Sequence, residues 1–310
     1  MMRIAIMGSG GVGGYFGARL ALAGNEVTFI ARGAHLAAIR ERGLRVESPL
    51  GDMHVNPARA TDDPATIGPV DLVLFSVKLW DTESAAQAIA PLVGPDTAVI
   101  SFQNGVQKDE VLTRVLGERA VMGGVSYISA TIGEPGVIRH VGRLQKLVFG
   151  ELDGQASARS QAFLDACVHA GIEAELSSDI RRTIWEKFMF LVALSGTTAS
   201  IRMPVGAIRS HPQTRALLLD AMREVVAVGR AQGIDLAEDF AEDRLAFFDT
   251  LPADMTASMH HDLERGNRLE VQWLSGDVSA RGAALQIPVP VNRVLYDVLA
   301  LHAEGRKAAQ

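Results

Sequence analysis

Three glycines near the start of the chain have the spacing of a phosphate-binding turn. The segment Gly8-Ser9-Gly10-Gly11-Val12-Gly13 follows the apolar run 3–7 and precedes residues 15–23, which favour a helix. Between a strand and a helix, Gly8 allows a tight turn, Gly10 lets the backbone approach a pyrophosphate, and Gly13 lets helix and strand pack closely. The amides and dipole of the helix N-terminus favour an anion. The segment predicts a dinucleotide site; the alternative is a glycine loop that only turns the chain.

Arg32 stands where such a site meets the adenosine ribose. It follows the predicted strand 26–31, and no Asp or Glu occurs between Val27 and Arg40. An NAD-binding fold usually places an acid here to hold the ribose 2′-hydroxyl, whereas a guanidinium pairs with a 2′-phosphate. The sequence therefore predicts NADPH/NADP+ as the cofactor. A solvated surface arginine is the alternative.

Lys78 and Asn104 each follow an apolar run that reads as a buried strand, residues 70–77 and 98–102. Open α/β sheets bind ligands at the carboxyl ends of their strands, so we expect both side chains at the cofactor site. Asn104-Gly105 is also a common turn sequence, which leaves a purely structural interpretation open.

Lys187 lies in an apolar helical stretch and shares one stripe with Leu191 and Ser195. Packing around an ammonium disfavours its charge and lowers its pKa. Such a lysine could protonate the alkoxide that forms when a hydride is transferred to a carbonyl. The alternative is a lysine whose stem packs while its ammonium reaches water.

Glu270 and the pair His260-His261 are the other candidates in this half of the chain. Glu270 lies in the apolar stretch 269–274, where an unpaired carboxylate is costly, so it could orient the lysine or accept from a substrate hydroxyl. A satisfied structural carboxylate is the alternative.

His260 and His261 could suggest a metal site. Adjacent residues of a helix do not face each other, however, and no other spacing among the 8 histidines suggests ligands, so we expect no metal site.

Composition limits the protein class. Of the 310 residues, 48% are hydrophobic and 21% charged, which is ordinary for a soluble globular protein of two domains. A net charge of −6 provides no basic field for nucleic acid, and no apolar run is long enough to cross a membrane. The single Cys167 excludes an internal disulfide and suits the reducing cytoplasm.

The pattern of elements predicts two domains. Residues 1–177 read as an α/β Rossmann domain, with an edge hairpin at 44–47 and 53–55 and short strand-like runs at 120–122, 137–140 and 146–149. Residues 178–310 read as helices at about 179–194, 210–232, 252–265 and 269–280, then a last one from Pro288 or Pro290 that buries Val291, Val294, Leu295, Val298 and Leu299. We expect the helical domain to supply substrate groups and a homodimer contact.

Along nearly its whole length the sequence resembles the ketopantoate reductase (2-dehydropantoate 2-reductase) family. The resemblance rests, in chain order, on the glycine segment, Arg32, Val77-Lys78, Gln103-Asn104-Gly105, Trp185-Glu186-Lys187, Ser258-Met259 and Leu269-Glu270. It implies a Rossmann domain followed by an all-α domain like the C-terminal bundle of 6-phosphogluconate dehydrogenases.

The activity that the resemblance implies is the NADPH-dependent reduction of ketopantoate to pantoate, a step of pantothenate biosynthesis. Lys78 and Asn104 would contact NADPH, and Asn104 would also touch the substrate. Lys187 would be the general acid, Ser258 would bind the substrate carboxylate, and Glu270 would hold the substrate hydroxyl or the cofactor.

The chain departs from the family at three positions where active members tend to carry asparagines. Leu191, Ser195 and Val205 stand there instead. If Lys187 lines the substrate site, Leu191 and Ser195 line it as well and make its wall more apolar. Reduction of ketopantoate is the first hypothesis. A reductase of a more apolar 2-oxo acid or related carbonyl compound is the second, and a non-catalytic NADPH-binding sensor is the third.

Overall fold

The computed structural model of the chain describes residues 1–306 and divides into two compact units. The first runs from Met1 to Ile184 and the second begins at Trp185. The boundary falls inside one helix, Ile180–Ile201, so no loop separates the units. The predicted boundary after residue 177 lies just before this helix.

A mixed sheet forms the centre of the first unit. Its strands in the described chain are β1 (Arg3–Met7), β2 (Glu26–Ile30), β3 (Leu44–Glu47), β4 (Met53–Val55), β5 (Arg59–Thr61), β6 (Leu72–Phe75), β7 (Ala98–Ser101), β8 (Val121–Glu134), β9 (Val137–Glu151) and β10 (Glu173–Leu176). Their order is β4-β3-β9-β8-β7-β6-β1-β2-β5, with β10 beside β9. In the part of this order that runs β8-β7-β6-β1-β2-β5, every strand is parallel to its neighbours. The strand order reverses between β1 and β6, which makes a crevice for a ligand at their carboxyl ends.

Helices cover both faces of this sheet. They are α1 (Gly11–Leu22), α2 (Gly33–Arg42), α3 (Thr82–Ala88), α4 (Gln107–Leu116) and α5 (Ala158–His169). Ile4 and Ile6 of β1 join the core cluster that includes α1 and α5, whereas Ala5 and Met7 join the cluster that includes α3 and α4. Burial on both faces explains why β1 has an uninterrupted apolar sequence.

The β8–β9 hairpin is much longer than the sequence pattern indicated. The predicted runs 120–122, 137–140 and 146–149 are parts of two antiparallel strands of 14 and 15 residues. Pairing extends from Met122 opposite Glu151 to Glu134 opposite Val137. Glycine, serine and polar residues fill much of both strands and hide the strand signal. The predicted edge hairpin of β3 and β4 is confirmed.

The second unit is helical. After α6 (Ile180–Ile201) come α7 (Val205–Ser210), α8 (Pro212–Ala231), α9 (Phe240–Thr250), α10 (Ser258–Arg265), α11 (Ser275–Leu285) and α12 (Pro290–Ala300). Helix α8 begins at Pro212, two residues after the predicted start at 210, and α12 begins at Pro290, the second of its two predicted starts. The predicted end of α10 at Gly266, which has φ +69°, is confirmed. An α/β unit followed by an all-α unit matches the predicted fold class.

Several predicted bounds in this unit are wrong. α6 continues past residue 194, because the buried hydroxyls of Thr197 and Thr198 donate to the carbonyls of Ala193 and Leu194 and need no other partner. Helix α9 was not predicted. Helix α10 begins at 258, not 252, because the carbonyls of Ala253 and Met255 instead accept hydrogen bonds from the amides of residues 206 and 205. The helix predicted from 269 begins at 275, after a single 3₁₀ turn.

The predicted burial of the last helix is also partly wrong. Val294 and Val298 are 57% and 54% exposed, while Leu295 and Leu299 are buried as expected. The inner face of α12 includes Asn292, a polar residue that hydrophobic patterning assigns to the surface.

The burial of Asn292 has a stability consequence. Glu224 of α8 accepts hydrogen bonds at 2.8 Å from the backbone amides of Val291 and Asn292 and from Asn292 Nδ2. We expect Glu224→Gln to lower the free energy of unfolding by about 1.5–3 kcal/mol, because it removes a charged acceptor and turns an NH₂ group towards other donors. Chemical denaturation of the second unit's helices, followed by circular dichroism, measures this.

Glu242→Gln is the matched control for that experiment. Glu242 is an exposed residue of α9 whose carboxylate pairs with Arg223 at 2.7 Å. Exposed ion pairs contribute about 0–1 kcal/mol. Equal losses for the two variants would contradict the capping role of Glu224.

Candidate cofactor and substrate sites

The glycine turn between β1 and α1 is closely packed on one side and open on the other. Gly8 has φ +93°, and a Cβ there would lie 2.7 Å from the Val77 nitrogen. A Cβ on Gly13 would lie 2.3 Å from the Gly8 oxygen, so α1 could not approach β1 with any larger residue. A Cβ on Gly10 would meet nothing within 4 Å. The turn thus leaves space beside Gly10, where the amides of the first turn of α1 have no intrahelical acceptor.

Hydrogen bonds hold this turn from several sides. Ser9 donates to the Ile30 carbonyl through both its amide and its hydroxyl, each at 3.1 Å. Ser76 Oγ donates to the Gly8 carbonyl at 2.8 Å. His35 Nε2 lies 2.8 Å from the Ser9 carbonyl oxygen, and sequence reasoning did not identify this contact. Partial burial lowers the pKa of His35, and the bond to Ser9 opposes that shift.

Arg32 lies at the same end of the sheet. It is the N-cap residue of α2, two positions beyond Ile30, and β1 pairs with β2 in parallel up to Met7 and Ile30. Its side chain is exposed and forms no ion pair with any residue between 1 and 306. A guanidinium in this position is available to an anion.

Gln103 joins the loops that carry Lys78 and Asn104. Its Nε2 donates to the Val77 carbonyl and to Thr82 Oγ1, both at 2.9 Å, and its Oε1 accepts from Ser101. Lys78 is exposed, with its ammonium 5.5 Å from the Trp80 ring centroid. Asn104 is half-buried, and its amide makes no hydrogen bond within the described part of the chain. The structure therefore brings Lys78, Asn104 and the glycine turn to the carboxyl ends of β6, β7 and β1.

A buried ion pair supports the end of β7. Lys108 is 1% exposed, and its ammonium lies 3.0 Å from the Ser101 carbonyl and 2.9 Å from Asp109 Oδ1. Burial raises the pKa of Asp109, and the neighbouring ammonium opposes the shift. The sequence signal, two adjacent charges at the start of α4, is ordinary for an exposed helix and gave no indication of burial.

In the second unit, Lys187, Leu191 and Ser195 recur every fourth residue along α6. Lys187 and Leu191 are half-buried, and Ser195 is 2% exposed. One face of the helix therefore carries all three, as predicted. Val205, the third departure from the family pattern, is fully buried, and its amide donates to the Met255 carbonyl.

His260 attaches the start of α10 to α6. Its Nδ1 lies 2.8 Å from the Thr198 carbonyl, which can only accept, so the ring nitrogen donates. The Ala257 amide donates to Thr198 Oγ1 at 3.4 Å. Ser258, exposed at the first position of α10, is thereby placed near the half of α6 that carries Ser195. Glu270 is half-buried and lies before the 3₁₀ turn, outside any helix.

The described residues also bear on metal binding and membrane insertion. Residues 1–306 contain no cluster of three or more His, Cys, Asp or Glu side chains that could hold a metal ion. None of the helices in that range is both long and apolar enough to cross a membrane.

Comparisons with known proteins cover both units. The family model described as "Ketopantoate reductase PanE/ApbA" matches residues 4–154, and the model of its C-terminal part matches residues 179–303. A 2-dehydropantoate 2-reductase of Halobacterium salinarum is 33% identical over 97% of this chain and 98% of its own. The crystal structure of a PanE/ApbA family ketopantoate reductase from Ralstonia eutropha is 37% identical and superposes with a TM-score of 0.88 over 97% of this chain and 98% of the other.

A more distant structure shares the fold. D-mandelate dehydrogenase, solved with NADH and anilino(oxo)acetate, is 21% identical over 97% of this chain and 98% of its own, with a TM-score of 0.88. The matches to both family models and to the relatives above 30% identity place the chain in the ketopantoate reductase family of NADP-dependent oxidoreductases.

Proposed function

We propose that the chain is an NADPH-dependent reductase that converts ketopantoate to pantoate, as in pantothenate biosynthesis. The observation that carries this proposal is the set of groups at the carboxyl ends of β1, β2, β6 and β7. An open glycine turn, an unpaired arginine, a lysine and an unbonded asparagine amide meet there. Family membership supplies the reaction class.

Each of these groups fits one part of the dinucleotide. The amides of Gly10, Gly11, Val12 and Gly13 would hold the pyrophosphate at the start of α1, with Gly8 and Ser9 shaping the turn. Arg32 would pair with the 2′-phosphate. Lys78 and Asn104 would contact the nicotinamide half, where Asn104 would also reach the substrate.

NADPH, when bound, would supply a hydride to the 2-oxo carbon. The protein's own residues would stabilise the negative charge that develops on the oxygen. Lys187 would donate a proton to that oxygen and stabilise the charge as it develops. Glu270 would hold the substrate hydroxyl or the cofactor and orient the lysine. Ser258, at the N-terminus of α10, would bind the substrate carboxylate, because that helix end favours an anion.

The second candidate substrate is a more apolar 2-oxo acid, and Leu191 favours it. A leucine on the Lys187 stripe cannot hydrogen-bond a carboxylate or a hydroxyl. The fold does not decide between substrates, because D-mandelate dehydrogenase shares it. The choice therefore depends on the residues of this stripe.

Restoring amides to the stripe tests this choice. We expect Leu191→Asn combined with Ser195→Asn to raise kcat/KM for ketopantoate by about 5–13-fold, because one recovered hydrogen bond contributes about 1–1.5 kcal/mol. Leu191→Ala with Ser195→Ala is the control, since it changes the size of the pocket without adding an amide. Initial rates at limiting ketopantoate measure the effect. If the wild type is already efficient and the asparagine variant is slower, Leu191 is a core residue without a role in specificity.

Two further properties stay predictions. The buried, unpaired Cys167 suits a reducing compartment, and we infer the cytoplasm. We also infer a homodimer through the helical unit, which light scattering on the purified protein tests.

A non-catalytic NADPH sensor, the third hypothesis, would bind the nucleotide and turn over no carbonyl compound.

A further inference from the structure

His35 connects two segments that are distant in sequence. Its Nε2 lies 2.8 Å from the carbonyl oxygen of Ser9, in the glycine turn. Its Nδ1 lies 3.0 Å from the amide nitrogen of Gly136, in the turn between β8 and β9. The imidazole is half-buried on α2 between them.

The two partners determine the protonation state of the ring. A backbone amide can only donate, so Nδ1 must be the unprotonated nitrogen that accepts from Gly136. A carbonyl can only accept, so Nε2 must carry the proton that it donates to Ser9. His35 is therefore a neutral imidazole with its proton on Nε2, in agreement with the burial that lowers its pKa.

The Gly136 end of this connection is firmly placed. Gly136 has φ +82°, and its carbonyl accepts from the Arg45 amide of β3 at 2.9 Å. A Cβ on Gly136 would lie 3.0 Å from the Ala38 Cβ of α2. The same hairpin touches the start of α1, since a Cβ on Gly11 would lie 2.0 Å from the Ala130 carbonyl. The β8–β9 hairpin thus supports the glycine turn at two points, directly at Gly11 and through His35 at Ser9.

The Ser9 end controls the direction of an amide. The carbonyl of Ser9 and the N–H of Gly10 belong to one planar trans peptide, so they point in opposite directions. When the carbonyl is held by His35, the Gly10 N–H points the other way. Gly10 is also the glycine of the turn whose missing Cβ leaves open space.

We propose that His35 is a positioning residue for the dinucleotide: by holding the Ser9 carbonyl from the β8–β9 hairpin, it aims the Gly10 amide at the pyrophosphate. The inference rests on the proposed binding of NADPH and goes beyond it by assigning a role to a side chain that does not itself touch the nucleotide. Because the pyrophosphate is common to both cofactors, His35 acts on NADPH and NADH alike.

Three variants and a control separate this role from general stability. His35→Ala removes both hydrogen bonds. In His35→Gln the side-chain NH₂ takes the place of Nε2 and can donate to the Ser9 carbonyl. In the shorter His35→Asn the side-chain oxygen takes the place of Nδ1 and can accept from the Gly136 amide only. His54→Ala is the matched control, because His54 Nε2 also bonds a backbone carbonyl, that of Arg42 at 2.8 Å, but on β4. For each variant we measure Kd for NADPH and NADH by fluorescence titration, kcat at saturating NADPH, and, in the free protein, hydrogen exchange of the Gly8, Ser9 and Gly14 amides, which donate to the carbonyls of Ile30 and Gly10.

We expect His35→Ala to raise both dissociation constants by about 3–10-fold, since a neutral hydrogen bond contributes about 0.5–1.5 kcal/mol, and to leave kcat within about twofold. In this variant the Gly8, Ser9 and Gly14 amides should exchange faster than in the wild type, because the turn that holds their hydrogen bonds is less firmly placed. His35→Gln should restore nucleotide affinity better than His35→Asn, and His54→Ala should match the wild type in every measurement.

Wild-type exchange of the Gly8, Ser9 and Gly14 amides in His35→Ala, or an unchanged Kd despite faster exchange, overturns the positioning role. The exchange measurement needs no nucleotide. A wild-type protein that fails to bind NADPH therefore contradicts the proposed function, whereas unchanged exchange contradicts the role of His35.

Discussion

Replacing Lys187 by alanine should lower kcat by about 10²–10⁴-fold and leave the Kd for NADPH within about twofold. Lys187 lies on the α6 stripe with Leu191 and Ser195, and no other lysine or arginine occurs between Arg182 and Arg202. In the proposed mechanism the ammonium is a proton donor that acts only as the alkoxide forms, so its loss would leave the ground-state complex with NADPH intact. The effect should therefore be on turnover and not on cofactor binding. Steady-state rates with the preferred 2-oxo acid, together with an NADPH titration, measure both quantities.

Lys187→Met is the control for packing. A methionine keeps an aliphatic chain on the half-buried stem and loses the charge, so it should be as slow as the alanine variant if the ammonium is the donor. Small primary amines added to Lys187→Ala should recover part of the rate, because they can enter the space of the missing ammonium. Near-normal turnover of Lys187→Met would instead mean that the stem only packs and that another group protonates the product.

Replacing Arg32 by alanine should weaken NADPH binding by about 10–150-fold and leave NADH binding within about twofold. The proposed contact between Arg32 and the 2′-phosphate is charge-assisted, and its loss would cost about 1.5–3 kcal/mol. Arg32 is exposed at the end of β2 and pairs with no carboxylate in residues 1–306, so its removal breaks no ion pair of the described structure. Comparing KM for the two cofactors in the variant and the wild type tests this.

Arg42→Ala is the matched control for Arg32→Ala. Arg42 is an exposed arginine in the last turn of the same helix, α2, and removing it changes the net charge equally. It should change KM for neither cofactor. Equal losses of NADPH and NADH affinity in Arg32→Ala would show that Arg32 supports the fold of the site and does not read the 2′-phosphate.

The parts of the fold that the sequence predicted best are those determined by local constraints. The glycine turn needs positive φ at Gly8 and close packing at Gly13, and no other residue type meets both needs. The starts of α8 and α12 carry proline, and the end of α10 carries a glycine in the left-handed region. In these places one or two residues decide the backbone.

The side chains that hold the site were missed because their partners are mostly backbone atoms, some of them distant in sequence. His35 bonds Ser9 and Gly136, the latter 101 positions away. Gln103 bonds the Val77 carbonyl, and Lys108 bonds the Ser101 carbonyl. A backbone carbonyl or amide leaves no signature in the sequence, so spacing cannot reveal such a contact.

The burial of Val294 and Val298 was also mispredicted. Their apolar stripe indicates a helix but does not tell which side of the helix meets the core.

The rate of NADPH oxidation against a panel of 2-oxo acids tests the central claim most directly. The panel should contain ketopantoate, smaller 2-oxo acids and 2-oxo acids with bulky apolar side chains, each assayed with wild type and with Lys187→Ala. We predict NADPH-dependent turnover of at least one 2-oxo acid, with ketopantoate the leading substrate, and its loss in the variant. NADPH binding without turnover of any member of the panel would contradict the account and favour a nucleotide-binding sensor over a 2-oxo acid reductase.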